Sequence, residues 1–151
     1  MLHSNIEIEL NISQPLTVPS QGMSLSGAGK LYLNDEFTIK TAERYAANGY
    51  AVAVPFIFHW WPKSDDIQVK RDEFRDDWTK LDLKAAFDHL SAENHVDGSR
   101  IGIVGHCWGG RVAWLGACHL SNLKACAIFY GGRVNLQMGP DTPPAIKLAT
   151  N

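Results

Sequence analysis

Between Arg100 and Ala117 the chain reads RIGIVGHCWGGRVAWLGA, and its polarity pattern changes period inside that stretch. Ile101, Ile103 and Val104 form a short apolar run, as a parallel strand covered on both faces requires. After the glycine-rich turn from Gly105 to Gly110 the spacing becomes helical. Val112, Leu115 and Gly116 fall on one side, with Trp114, Ala117 and Cys118 on the other. Upstream, Ile6, Ile8, Leu10 and Ile12 alternate with Glu7, Glu9 and Asn11, which predicts an edge strand with one buried face. The following stretch, SQPLTVPSQGMSLSGAGK, is loop-like.

Residues 37–48 predict a helix capped by Thr38, with Ile39, Ala42, Tyr45 and Ala46 as its apolar stripe and Asn48-Gly49 as its stop. Tyr50 to Phe58 predicts a buried strand ended by Pro55. Lys63 to Asp72 is charged and reads as a solvated connection. Residues 73–93 give the strongest helical pattern. Phe74, Trp78, Leu81 and Ala85 recur at helical spacing, and Leu83, Phe87 and Leu90 widen the stripe. Asp76, Asp77, Asp82 and Asp88 on this helix invite a metal or acid–base reading, but an amphipathic helix places such residues on its solvated face. A further apolar strand, Lys124 to Tyr130, ends at Gly131-Gly132, and residues 133–151 read as loop.

A length of 151 residues implies one domain, and 45% hydrophobic with 20% charged residues implies a globular one. The net charge of −2 gives no reason to expect nucleic acid or a membrane surface as partner. No apolar run has the length of a membrane span, and the N-terminus lacks the basic and apolar regions of a signal peptide. Three irregularly spaced cysteines do not make a disulfide scaffold, so a cytoplasmic setting is expected.

The chemistry concentrates at Gly105-His106-Cys107-Trp108-Gly109-Gly110. A strand ending in G-x-C-x-G-G and turning into a helix matches the nucleophile-elbow pattern G-x-S-x-G, with Cys for Ser. The nucleophile of such an elbow occupies a sharp, strained turn. Its neighbours must be small, a need that Gly105, Gly109 and Gly110 meet. The turn would lift the Cys107 sulfur above the sheet edge and onto a helix N-terminus, whose dipole favours thiolate. The backbone N–H of Trp108 would face a developing oxyanion. Two rival motifs fail. Cys107 occupies the second glycine of G-x-G-x-x-G, and SLSGAGKL lacks the first glycine of a P-loop and has Leu31 where a magnesium-holding hydroxyl belongs. Cys118, on the helix, and Cys126, in the last strand, read as inert core thiols.

DGSRIGIVGHCWGG, Asp97 to Gly110, resembles the elbow of the dienelactone hydrolases, a cysteine-nucleophile branch of the α/β-hydrolases. The resemblance runs from about Tyr32 to the C-terminus and takes in LND, TAERYAANGYAVAVP, LDLKAAFDHL and ACAIFYGG. It implies a partial α/β-hydrolase fold: a mostly parallel sheet flanked by helices in three α/β/α layers. It also implies a single, incomplete domain over 1–151, with 1–36 divergent and 37–132 as the recognisable core. The implied activity is hydrolysis of a small ester or lactone, with Cys107 as nucleophile and no cofactor or metal. A second oxyanion donor would fall at the backbone of Leu31. The family's glutamate falls near Lys30 or Leu31, and its role does not transfer to Glu36.

The carboxyl end of the strand before Pro55 leads into His59, Trp60 and Trp61, at the edge where open α/β sheets bind ligands. Trp60 stands near the place of the family's carboxylate-holding arginine, so the implied pocket is more aromatic and less anion-seeking. Tyr130 would reach the same edge. Packing of this loop onto the domain is the competing reading of His59, Trp60 and Trp61.

A cysteine nucleophile needs a base and a group that orients it. Downstream of Cys107 stand only Asp141 and His119, in the reverse of the α/β-hydrolase order. His119 lies about 18 Å along the helix at 1.5 Å per residue, and His106, a strand neighbour of Cys107, points to the opposite face. The resemblance implies that the Asp and His belong to two further strands. The expectation is therefore a C-terminally truncated member that is inactive alone, with the strand at 124–130 left as an open edge. A non-catalytic α/β remnant binding a small apolar ligand or a partner chain is the alternative. A flavodoxin-like or dinucleotide-binding domain is disfavoured by the failed glycine motifs.

Overall fold

The computed structural model describes residues 10–13, 36–62 and 66–149. The chain divides into two compact units, Met1–Phe56 and Ile57–Asn151. In the first, strand β1 (Leu10–Ser13) pairs antiparallel with β2 (Val52–Pro55), Leu10 opposite Pro55 and Ser13 opposite Val52. The alternation at Ile6 and Ile8 and the loop at 14–31 lie outside the described residues. Helix α1 (Glu36–Ala47) buries Ala42 and Ala46. It begins before Thr38, so Thr38 lies inside the helix and does not cap it. It ends as the sequence predicts: Gly49 adopts φ +89°, and the Asn48 and Gly49 amides donate to the Tyr45 and Ala46 carbonyls. The strand at 50–58 is shorter than expected, because the chain leaves extended geometry after Pro55.

The second unit carries the core. Helix α2 (Ile67–Asp72) opens where the Asp66 carboxylate accepts the Gln68 amide at 2.7 Å. Helix α3 spans Asp76–Ala92, strand β3 Gly102–His106, helix α4 Trp108–His119 and strand β4 Ala125–Phe129. β3 and β4 pair in parallel, with Ile103 opposite Cys126 and His106 opposite Phe129. α4 packs on both strands, and α3 packs on α4. The chain is therefore α/β, with a parallel strand pair flanked by helices. Trp61, Phe74, Leu83, Val112, Leu115, Met138 and Ala145 form the buried cluster between these layers. α4 comes close to β3 at Gly116, where a Cβ would stand 2.7 Å from Ile103 Cδ1. β4 is exposed from end to end. No helix among the described residues is long and apolar enough to cross a membrane.

The charged residues of α2 and α3 depart from expectation. Lys63 to Asp72 contains helix α2, and Lys70 is buried. The buried face of α3 is Asp76, Thr79, Asp82, Leu83 and Ala86, whereas Leu81 of the predicted stripe is 51% exposed. Asp76 and Asp82 are thus interior residues, not members of a solvated face. Each is held by donors from distant parts of the chain: Arg111 for Asp76, His59 and Trp60 for Asp82. Burial of a carboxylate is tolerable only with such partners. Arg111 is likewise buried completely.

Candidate active site

β3 hands the chain to α4 at Cys107. This residue has φ +52° and ψ −115°, a region that side-chain-bearing residues rarely occupy and that costs of order 1–3 kcal/mol. Three hydrogen bonds hold it there. The Cys107 amide donates to the Phe129 carbonyl at 3.0 Å, and its carbonyl accepts from the Gly110 amide at 3.0 Å and the Gly132 amide at 2.8 Å. The cysteine itself is exposed.

The glycines divide by role. A Cβ on Gly105 would stand 1.9 Å from the Gly109 carbonyl oxygen, and one on Gly110 would stand 2.8 Å from Gly131 Cα. Both positions require glycine because backbone passes where a side chain would be. Gly109 does not: a Cβ there meets nothing within 4 Å, so its place among the sterically required glycines is corrected.

Trp108 is the first residue of α4, where a backbone N–H has no acceptor within the helix. Its ring meets Phe74 edge-on at 5.2 Å between centroids. The Arg133 and Arg71 guanidinium carbons stand 5.6 Å and 6.0 Å from the Trp108 ring centroid. Arg133 also pairs with Asp72 at 2.6 Å, and this hydrogen bond, with a smaller one from Gln68, holds the Asp72 carboxyl below the usual carboxylate range. The indole Nε1 of Trp108 and Nε of Arg71 are buried without a hydrogen-bond partner. Sequence reasoning missed both arginines. Arg71 lay in a stretch read as a solvated connection, and Arg133 in one read as loop.

His59, Trp60 and Trp61 are gathered into the aromatic core. His59 Nε2 lies 2.8 Å from Asp82 Oδ1, and Trp60 Nε1 donates to Asp82 Oδ2 at 3.0 Å. Trp61 is buried and stacks on Phe74 at 6.1 Å with an interplanar angle of 8°. Tyr130 is 74% exposed at φ +41°, and its ring lies edge-on to His106 at 6.4 Å. Leu31 lies outside the described residues.

The described histidines have other engagements. His59 faces Asp82, His89 and His95 face Glu93, and His106 stacks flat on Phe129 at 4.6 Å. His119 ends α4 at the opposite end from Cys107, and its imidazole is pushed down by burial first and by Lys80 second. Burial pushes the Cys118 thiol up, and burial with the neighbouring Cys118 pushes that of Cys126 up. Cys126 lies on an exposed strand rather than in the core, with its Sγ 3.5 Å from the Ala113 carbonyl. A surface depression of about 460 Å³ lined by Phe87, Ser91, Gly98, Ser99, Asn122 and Lys124 lies where β3 and β4 begin, at the end away from Cys107.

Over 97 residues the chain is 32% identical to a Yersinia pestis protein provisionally named carboxymethylenebutenolidase, covering 58% of this chain and 35% of that protein. Proteins given the same provisional name in Methylorubrum extorquens and Escherichia coli K12 are each 44% identical over 50 residues. Those matches cover 33% and 31% of this chain, and 17% and 18% of the relatives. The chain thus spans about a third or less of the length of these relatives. No solved structure gives a significant match. The model of the dienelactone hydrolase family matches residues 33–149, most of the chain, and the chain belongs to that family.

Proposed function

We propose that this chain is the nucleophile-bearing part of a hydrolase that cleaves a small ester or lactone through Cys107. The observation that carries the reading is the left-handed backbone of an exposed cysteine between β3 and α4. Strain of that kind persists only where the surroundings over-determine it. The Cys107 thiolate attacks the carbonyl and the Trp108 N–H holds the oxyanion; the ester C–O bond then breaks, the alkoxide takes the thiol's former proton back from the base, and water deprotonated by that base cleaves the thioester and restores the thiolate. Leu31 is proposed as the second backbone donor. His59, Trp60, Trp61 and Tyr130 are proposed as surroundings of the substrate. In that role His59 and Trp60 act as a wall held rigid by Asp82.

The base and its orienting acid are proposed to come from sequence outside these 151 residues, since His59 is bound to Asp82, His89 and His95 lie beside Glu93, His106 stacks on Phe129, and His119 stands at the far end of α4. The family match takes in parts of both units, which supports reading them as one domain. Names carried by relatives support a hydrolase of the carboxymethylenebutenolidase type. The engagement of the histidines also favours a second reading, a non-catalytic remnant that binds a small apolar ligand or a partner chain.

Alkylation with iodoacetamide near neutral pH, followed residue by residue by mass spectrometry, separates the two. The hydrolase reading expects Cys107 to react well ahead of Cys118 and Cys126. Equal rates at all three would remove its physical basis. On an activated ester the chain alone is expected to turn over little or not at all. Turnover abolished by Cys107→Ala would mean that the base lies within these residues after all.

A further inference from the structure

Arg111 follows Cys107 by one helical turn, and its guanidinium is enclosed completely. It forks onto Asp76 at the start of α3, with Nε to Oδ1 at 2.9 Å and Nη2 to Oδ2 at 2.6 Å. Its remaining donors reach the segment after β4: Nη1 to the Arg133 carbonyl, and Nη2 to the Leu136 carbonyl at 3.0 Å. The backbone amide of Asp76 adds a bond to the Met138 carbonyl at 3.0 Å. One buried ion pair therefore ties together the starts of two helices and the stretch from Arg133 to Met138.

The chain leading into that stretch, Gly131-Gly132, lies against the turn at Cys107. Gly132 donates its amide to the Cys107 carbonyl at 2.8 Å. Arg133, held at φ +51°, lays its guanidinium over the ring of Trp108. The Arg133 carbonyl bound by Arg111 thus belongs to the residue whose guanidinium lies over the ring of Trp108, the residue that follows Cys107. An apolar pair of similar volume often stabilises a fold as well as a buried ion pair does, and this one adds directed bonds to two carbonyls of a single segment.

We propose that Asp76 and Arg111 are a positioning pair. By fixing the Gly131–Leu136 segment against the elbow, they set the reactivity of the Cys107 thiol. The proposal rests on the reading of Cys107 as nucleophile. Without the pair the segment is free to drift, the Gly132 amide no longer holds the Cys107 carbonyl in register, and the Arg133 charge moves off Trp108.

The test is the iodoacetamide rate of Cys107 across pH in the full chain, with thermal unfolding measured on the same samples. The double variant Asp76→Leu/Arg111→Met replaces the ion pair by apolar volume. It is expected to stay folded, with a lower unfolding temperature because the Arg133 and Leu136 carbonyls lose their donor, while Cys107 slows roughly fivefold or more, with a changed pH–rate profile. Cys118 and Cys126 should keep their rates. A folded double variant in which Cys107 keeps the parent rate and profile overturns the proposal. Arg133→Met, at a partly exposed position, covers the case in which the double variant fails to fold. It leaves the Arg111 bonds to backbone in place and is expected to slow Cys107 by a similar factor, and an unchanged rate again overturns the proposal. If parent Cys107 is no faster than the other two thiols, the nucleophile reading falls and takes the pair with it. If parent Cys107 is selective and the variants match it, only the positioning role falls.

Discussion

Replacing Gly105, Gly109 and Gly110 one at a time by alanine tests the steric logic of the elbow, because the three sites differ in what a methyl group would meet. At Gly105 the added Cβ lies 1.9 Å from the Gly109 oxygen, 2.3 Å from its carbonyl carbon and 2.9 Å from the Gly110 nitrogen. These are backbone atoms, so no side chain can rotate away. Overpacking usually costs about 1–3 kcal/mol, and a rigid clash belongs at the upper end, about 3 kcal/mol or more. At Gly110 the contacts are 2.8 Å to Gly131 Cα and 2.9 Å to the Phe129 oxygen, also backbone. Alanine's helical advantage of roughly 1 kcal/mol offsets part of that clash, leaving a net loss of about 1–2 kcal/mol. At Gly109 nothing lies within 4 Å, and alanine is expected to stabilise by about 0.5–1 kcal/mol. Urea unfolding followed by tryptophan fluorescence reads the series. With slopes of about 1–3 kcal/mol/M, a loss of 3 kcal/mol moves the midpoint by roughly 1–3 M. A Gly105→Ala protein as stable as the parent, or a Gly109→Ala protein as damaged as Gly105→Ala, would refute the reasoning.

Three further outcomes are expected. Cys107→Gly should be more stable than Cys107→Ala by about 1 kcal/mol, reversing the usual order, because glycine releases the strain at φ +52° while losing only its ordinary entropic penalty. Equal stabilities in urea would show that the strain is not real. Asp82→Ala should cost about 2–4 kcal/mol by leaving the His59 and Trp60 donors unpaired. Asp82→Asn, which keeps one acceptor, should cost less, and the two denaturation midpoints give the comparison. The Arg75–Asp77 pair holds the Asp77 carboxyl below its usual range, chiefly through the Arg75 hydrogen bond. A depressed carboxyl stabilises above its unfolded value near pH 4, and the benefit is lost as pH falls through the folded value. Asp77 is 38% exposed, so the gap between parent and Asp77→Asn should stay under about 1 kcal/mol at pH 7 and close towards pH 2. A gap that persists in acid would contradict the ion-pair account.

Sequence by itself determined the elbow and the elements around it. Gly105 and Gly110 are legible because the steric demand of a strand-to-helix turn is local: each glycine answers to backbone a few residues away or on the neighbouring strand. The α1 stop at Asn48-Gly49 and the apolar runs that became β3, α4 and β4 are local signals of the same kind. Tertiary structure decided the fate of the charges. Asp76 and Arg111 meet across 35 positions, and Asp82 meets His59 and Trp60 across 23 and 22. Periodicity reads each carboxylate as a reason for exposure because it sees polarity and not the partner that makes burial affordable. For the same reason Leu81 was placed inside and Arg133 in a featureless loop, although Leu81 faces solvent and Arg133 lies over Trp108. Cys107 was identifiable from its neighbours in the chain. The pairings of Arg111 with Asp76 and of Arg133 with Asp72 were not, since they form only when α2, α3 and the segment after β4 pack around α4.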